Sequence, residues 1–197
     1  MRASTRREFV AGAAGRIECA VDLPQGAPRG VALIAHPHPL FGGTLHNKVV
    51  QTLARAFVEL GYETWRPNFR GVGETEGTHD EGRGELEDLH RVLARTGATN
   101  FVLAGFSFGA ALQALLAQRV TPERMVLVGV AVTRVAVPAV AGNTLVIHGE
   151  ADETVPLATV LDWARPQDLP VVLVPGADHF FHRKLHVLRG IVTSNWK

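Results

Sequence analysis

One cysteine, Cys19, stands in a chain of 197 residues. A lone thiol cannot close a disulfide within the chain, and it cannot build a cysteine metal cluster. Neither sign of charge is in surplus: 20 Lys and Arg against 19 Asp and Glu leave a formal net charge of +1. Charge so balanced and dispersed gives no basic face for nucleic acid and no cationic stripe for an acidic membrane surface. No apolar run reaches the about 20 residues that cross a bilayer. Repeats and low-complexity tracts are missing too. The segment TRREFV begins like a twin-arginine export signal, but Arg16 and Glu18 interrupt the apolar stretch such a signal needs. Arg6 and Arg7 are therefore expected to be exposed near a first strand, and the protein to be cytoplasmic.

What the chain does have is apolar content, 46% of its residues, and a regular alternation of element types. Residues 7–23 alternate apolar and polar around Gly12 and Gly15, the pattern of two antiparallel strands with a tight turn. Residues 31–35 (VALIA) are continuously apolar, as a strand buried on both faces should be. Residues 36–44 form a loop by their Pro and Gly content. Over 47–60, Val50, Leu53, Ala54, Phe57 and Leu60 share one helical face that Gly61 ends. A short strand is expected at 62–66, a glycine-rich loop at 67–84, and a helix at 85–96 with acids in its first turn. Further strands are expected at 101–104, 125–132, 145–148 and 171–174, and helices at 156–164 and 181–192. Strands alternating with helices predict one α/β domain over 1–197 with a mainly parallel sheet. In such sheets ligands bind beyond the carboxyl ends of the strands.

The strand at 101–104 leads into Gly105-Phe106-Ser107-Phe108-Gly109 and then into a helical run of Ala and Leu. Strand, G-x-S-x-G turn and helix in succession lift a serine hydroxyl above the end of a parallel sheet. The helix behind the serine presents free N–H groups and its positive dipole end where negative charge would develop. A serine hydroxyl is a poor nucleophile at neutral pH, so it needs a base such as imidazole to take its proton. The imidazole in turn needs a carboxylate to fix its tautomer and stabilise its charged form. Asp152 and His179 supply both, and like Ser107 each falls just past the end of a strand. Rival assignments stay open: Asp152 can instead cap the next helix, Glu150 and Glu153 are alternative acids, and His182 is an alternative base. An oxyanion also needs two N–H donors. Phe108, directly after the serine, offers one. The second is expected from the loop His36-Pro37-His38-Pro39, where prolines have no N–H. His38 is the first free donor inside that loop and Leu40 the next.

Nine histidines raise the question of a metal. A zinc site needs three convergent ligands and commonly a carboxylate. Proline on both sides limits the reach of His38, and no carboxylate can be placed with His179, His182 and His186. No catalytic metal and no cofactor is therefore expected. His46, His79 and His90 read as ordinary surface or loop residues.

Five segments carry a family resemblance: HPHPLFGGTLHNKVV (36–50), NFRGVGETEG (68–77), GFSFGA (105–110), HGEADETVP (148–156) and GADHFFH (176–182). Together they resemble the α/β-hydrolase superfamily, and within it the small lid-less bacterial hydrolases related to dienelactone hydrolases. The resemblance implies a three-layer fold: a mostly parallel eight-stranded sheet whose second strand is antiparallel, helices on both faces, and no cap domain. It implies Ser107 as nucleophile, Asp152 as acid, His179 as base, and a carboxylesterase-like activity. Dienelactone hydrolases proper carry cysteine where this chain has Ser107, so their lactone substrate is not carried over. His46 stands where close relatives are expected to have an acidic residue. Only residues 133–143 occupy the gap in which larger hydrolases insert a cap. The site is thus expected to be open, with Phe41, Phe106, Phe108 and Phe180 as apolar walls, and its partner to be a small-molecule ester with a small or flexible acyl group. The same nucleophile and base would serve a thioester, an amide or a peptide. A non-catalytic scaffold of the same fold is the reading from another class, and the intact Ser107, Asp152 and His179 count against it. Trp196 fits either the core or an interface.

Overall fold

The structure is a computed structural model that describes residues 5–196. Its strands are β1 (Thr5–Gly12), β2 (Gly15–Asp22), β3 (Val31–Ala35), β4 (Glu63–Pro67), β5 (Phe101–Phe106), β6 (Arg124–Val128), β7 (Leu145–Gly149) and β8 (Val171–Val174). They form one sheet in the order β1-β2-β4-β3-β5-β6-β7-β8. β2 is antiparallel to both of its neighbours, and every other pair is parallel. The helices are α1 (Lys48–Glu59), α2 (Arg83–Thr96), α3 (Phe108–Leu116), α4 (Leu157–Ala164) and α5 (Leu185–Ser194). This is the three-layer arrangement expected from the resemblance, with no cap between β6 and β7.

Alternation along the strands builds the layers. Successive strand residues point to opposite faces of a sheet. Ala32, Ile34, Val102, Ala104 and Val126 pack with Leu53 and Phe57 of α1 and with Leu188 and Val192 of α5. Their neighbours Leu33, Ala35, Leu103 and Met125 pack with Leu86 and Leu89 of α2 and Leu112 of α3. Leu127 and Val146 meet the alanines of α3 and Val160 of α4. Trp196 belongs to the core: its ring meets Phe57 edge-on at 5.1 Å, and its Nε1–H donates to the Tyr62 hydroxyl at 3.0 Å. Arg6 and Arg7 lie exposed on β1. Among the described residues no helix is long and apolar enough to cross a membrane.

Several element boundaries differ from expectation, and three of the differences have a local reason. β6 ends at Val128 rather than at residue 132, because Gly129 (φ 52°) turns the chain across the start of α3. α2 starts at Arg83 rather than 85, because the Glu85 carboxylate is fully buried and caps the turn, accepting the Gly82 N–H at 2.9 Å. α5 starts at Leu185 rather than 181, because Phe181 and Arg183 hold φ of 54° and 62°, outside the helical region.

Candidate active site

β5 and α3 meet at Ser107, whose backbone is left-handed in φ (57°, with ψ −117°). A non-glycine residue there carries strain of about 1–3 kcal/mol that the surroundings must hold. They hold it tightly. The Ser107 N–H donates to the Val128 carbonyl at 2.9 Å, and its own carbonyl accepts from Ala111 and Ala131 at 3.2 and 3.3 Å. The two flanking glycines are required by close approach. A Cβ on Gly105 would lie 2.6 Å from the Ala110 nitrogen, and one on Gly109 would lie 2.4 Å from the His36 carbonyl oxygen. The buried Gln113 amide of α3 donates to the Leu33 and Ala104 carbonyls at 2.9 and 3.0 Å, which ties the helix to β3 and β5.

The turns after β7 and β8 bring Asp152 and His179 to this serine. His179 Nε2 lies 3.1 Å from Ser107 Oγ, and His179 Nδ1 lies 2.6 Å from Asp152 Oδ2. The other carboxylate oxygen, Oδ1, accepts the N–H groups of Thr154 and Val155 at 2.9 and 2.8 Å. Burial pushes the Asp152 carboxyl upward, but the bonds from His179 and Val155 outweigh it and leave the group below the ordinary carboxylate value. An ionised carboxylate only accepts, so Nδ1 of His179 carries the proton. Nε2 then offers its lone pair to the Ser107 O–H.

The rival groups are engaged elsewhere. His182 was expected inside a helix; it stands instead on the exposed turn before α5, with Nδ1 2.6 Å from Asp178 Oδ2. Glu150 accepts the Gly176 N–H at 2.8 Å, and Glu153 is exposed. The His36 ring is fully buried, with Nδ1 2.6 Å from the Pro37 carbonyl while Nε2 accepts the Phe69 N–H at 2.9 Å. His46 is exposed.

The loop after β3 closes on itself around His38. Its carbonyl accepts from Phe41 and Gly43, both at 3.1 Å, while the Leu40 N–H donates to His38 Nδ1 at 3.3 Å. Neither the N–H of His38 nor that of Phe108 has a protein acceptor among the described residues. Of the four expected apolar walls, Phe41 (70% exposed) and Phe180 (44% exposed) face solvent. Phe106 and Phe108 do not. Phe106 is wholly buried behind the His179 ring at 4.8 Å, and Phe108 packs on His38 at 4.7 Å, so both support the site from within the core.

Two neighbours of the site carried no readable signal. His79, expected as an ordinary loop residue, places Nδ1 2.9 Å from the buried Glu85 and its ring 4.8 Å from His38. His148 on β7 is fully buried, with Nε2 3.0 Å from the Val155 carbonyl and 3.6 Å from Asp152 Oδ2. The ring contact of His79 with His38 joins two loops far apart in sequence, and the contacts of His148 depend on how the turn after β7 folds back, neither of which periodicity reveals.

Comparison with known proteins identifies the fold. The profile of the α/β-hydrolase fold family matches residues 38–138. An α/β serine hydrolase homologue from Coxiella burnetii is 38% identical, with a TM-score of 0.91 over 96% of each chain. A serine hydrolase without a lid from Xanthomonas campestris is 36% identical, with a TM-score of 0.90 over 99% of this chain and 94% of that one. The chain belongs to the α/β-hydrolase family, and over nearly its whole length it is similar to serine hydrolases of that fold. An uncharacterised protein of Rickettsia prowazekii is 38% identical over 113 residues, 55% of this chain; the match spans about half, 48%, of that relative.

Proposed function

We propose that this chain is a serine hydrolase that cleaves carboxylic esters of small or flexible acyl groups through an acyl-enzyme. One observation carries the reading: the continuous line from Ser107 Oγ through the two nitrogens of His179 to Asp152, at 3.1 and 2.6 Å. Nε2 of His179 takes the hydroxyl proton as Oγ attacks the ester carbonyl. Asp152 keeps Nδ1–H in place and stabilises the imidazolium that forms. The developing oxyanion accepts from the N–H groups of Phe108 and His38. His38 is favoured over Leu40 because the Leu40 N–H already has the His38 ring as its acceptor. The imidazolium then protonates the leaving alcohol, and Ser107 holds the acyl group. Water repeats the sequence: it yields a proton to Nε2, attacks the acyl carbonyl and releases the acid as Ser107 recovers its proton.

The decisive experiment is labelling by a fluorophosphonate probe, with and without Ser107→Ala, beside hydrolysis of 4-nitrophenyl butyrate. The wild type is expected to label and turn over. Ser107→Ala should do neither, and Asp152→Asn should lower kcat by about 10⁴-fold through the wrong imidazole tautomer. Labelling that persists in Ser107→Ala would remove this serine from the mechanism.

A further inference from the structure

Four arginines away from the site lie over aromatic rings: Arg7 and Arg16 on Phe9, Arg29 on Tyr62, and Arg124 on Trp196. Each also has an acceptor for its N–H groups. Arg7 and Arg16 reach Glu74, Arg29 reaches Glu123, and Arg124 reaches the carbonyls of Asn143 and Asn195. Arg134 differs. Its guanidinium carbon sits 5.1 Å from the centre of the exposed Phe41 ring, and among the described residues no carboxylate or carbonyl accepts from it.

Its place is fixed from the serine. Ala131 donates its N–H to the Ser107 carbonyl at 3.3 Å, and the N–H groups of Arg134 and Val135 donate to the Ala131 carbonyl at 3.1 and 3.2 Å. On the other side, the Phe41 ring packs on His38 at 4.9 Å, and His38 packs on Phe108, the residue after the serine, at 4.7 Å. Arg134 therefore spans from the turn after β6 to the turn after β3, and both turns are built on the residues of the serine elbow. The neighbouring charges leave the guanidinium uncompensated. Burial first, then the neighbouring His79 and Arg134, hold His38 below its ordinary value, and an imidazole supplies no negative charge to the guanidinium. The nearby acid, Glu85, is buried and taken up by His79, Asp80 and Gly82.

We propose that Arg134 is a specificity-determining residue that binds a free carboxylate on the substrate, so that the preferred esters of this site are monoanionic. A planar guanidinium fits a carboxylate through paired N–H donors, and among the described residues no acceptor occupies those of Arg134 on its seat over Phe41. The inference rests on the esterase reading above, and the test separates the two. It compares kcat/KM for mono-4-nitrophenyl adipate and 4-nitrophenyl hexanoate, which differ by carboxylate against methyl at the acyl end. In the wild type at low salt the anionic ester is expected to be favoured. Arg134→Gln should lower the anionic-to-neutral ratio about tenfold, the loss of one charge-assisted contact, and Arg134→Lys should restore part of it. Raising the salt to about 0.5 M should shrink the wild-type ratio and leave that of Arg134→Gln in place. A ratio that is the same in the wild type and Arg134→Gln overturns the inference while the esterase reading stands. A folded wild type that hydrolyses neither ester overturns both.

Discussion

His36 follows the last residue of β3 with no exposed surface, and both of its ring nitrogens are committed. Nε2 accepts from Phe69, so the proton sits on Nδ1 and points at the Pro37 carbonyl. A second proton would have to displace the Phe69 N–H inside the core. Burial accordingly pushes this imidazole from its ordinary 6.5 down to about 3. The consequence for stability has a definite sign. Above pH 6.5 the folded and unfolded chains both carry neutral His36, so its full contribution is present. As pH falls from there toward about 3, only the unfolded chain binds the proton, and stability is lost by up to about 1.4 kcal/mol per pH unit. His36→Gln keeps a donor and an acceptor but does not titrate. Its unfolding free energy, measured by urea titration across this window, is expected to fall less steeply with acid than that of the wild type; parallel curves would contradict the assignment. Residues such as His36 also mark where sequence reading stops. The pair His36 and His38 was legible as two imidazoles on one loop. Which ring was buried and which stood by the mouth depended on Phe69 and Phe108, which are distant in sequence.

The elements divide in the same way. Strands β3, β5, β6 and β7 were legible because their runs are continuously apolar, as burial on both faces requires, and helix α1 because its apolar residues repeat at the helical period. The serine elbow was legible because its glycines answer a local steric demand between β5 and α3. The start of α5 was not. Phe181 and Arg183 adopt positive φ without being Gly or Asn, so no residue announces the two turns that carry the chain from His179 to Leu185. Tertiary packing holds them there: Phe181 is wholly buried, and its N–H donates to the Asp178 carbonyl at 3.1 Å. Arg183, by contrast, is exposed, so nothing in the core depends on its side chain. A left-handed non-glycine residue carries about 1–2 kcal/mol of backbone cost, offset in part by the greater freedom of glycine in the unfolded chain. Arg183→Gly is therefore expected to raise the unfolding free energy by up to about 1 kcal/mol, read by chemical denaturation. A loss of stability would mean that the Arg183 side chain has a partner at this turn.

On the scale of the whole molecule, the strand order sets what the site can grip. β3, β5, β6, β7 and β8 are consecutive neighbours and mutually parallel, so the turns after all five open on one rim. Those turns bring His38, Ser107, Arg134, Asp152 and His179 to that rim; for Ser107, Asp152 and His179 this was legible in their places just past the ends of strands. The contact of Arg134 with Phe41 was beyond reach, because it joins the ends of two strands that are not adjacent in the sheet. Between β6 and β7 the described residues include no helix, and nothing from that segment folds over the serine as a cap. The apolar surface at the mouth is shallow: Leu40 and Phe41 are each 70% exposed and Phe180 is 44% exposed. Depth decides how much a longer acyl chain can gain. Four methylenes fully enclosed would contribute about 0.8 kcal/mol each, about 3 kcal/mol in all or roughly two hundredfold in kcat/KM between butyrate and octanoate esters. A chain that lies along an open rim keeps most of its surface in water and recovers a small part of that. Across 4-nitrophenyl acetate, butyrate, hexanoate and octanoate, kcat/KM is expected to vary by less than about tenfold with no steady rise toward the longest chain. A climb of two orders of magnitude would require an enclosed acyl groove, and the described residues would then have to close over Phe41 and Phe180 when substrate binds.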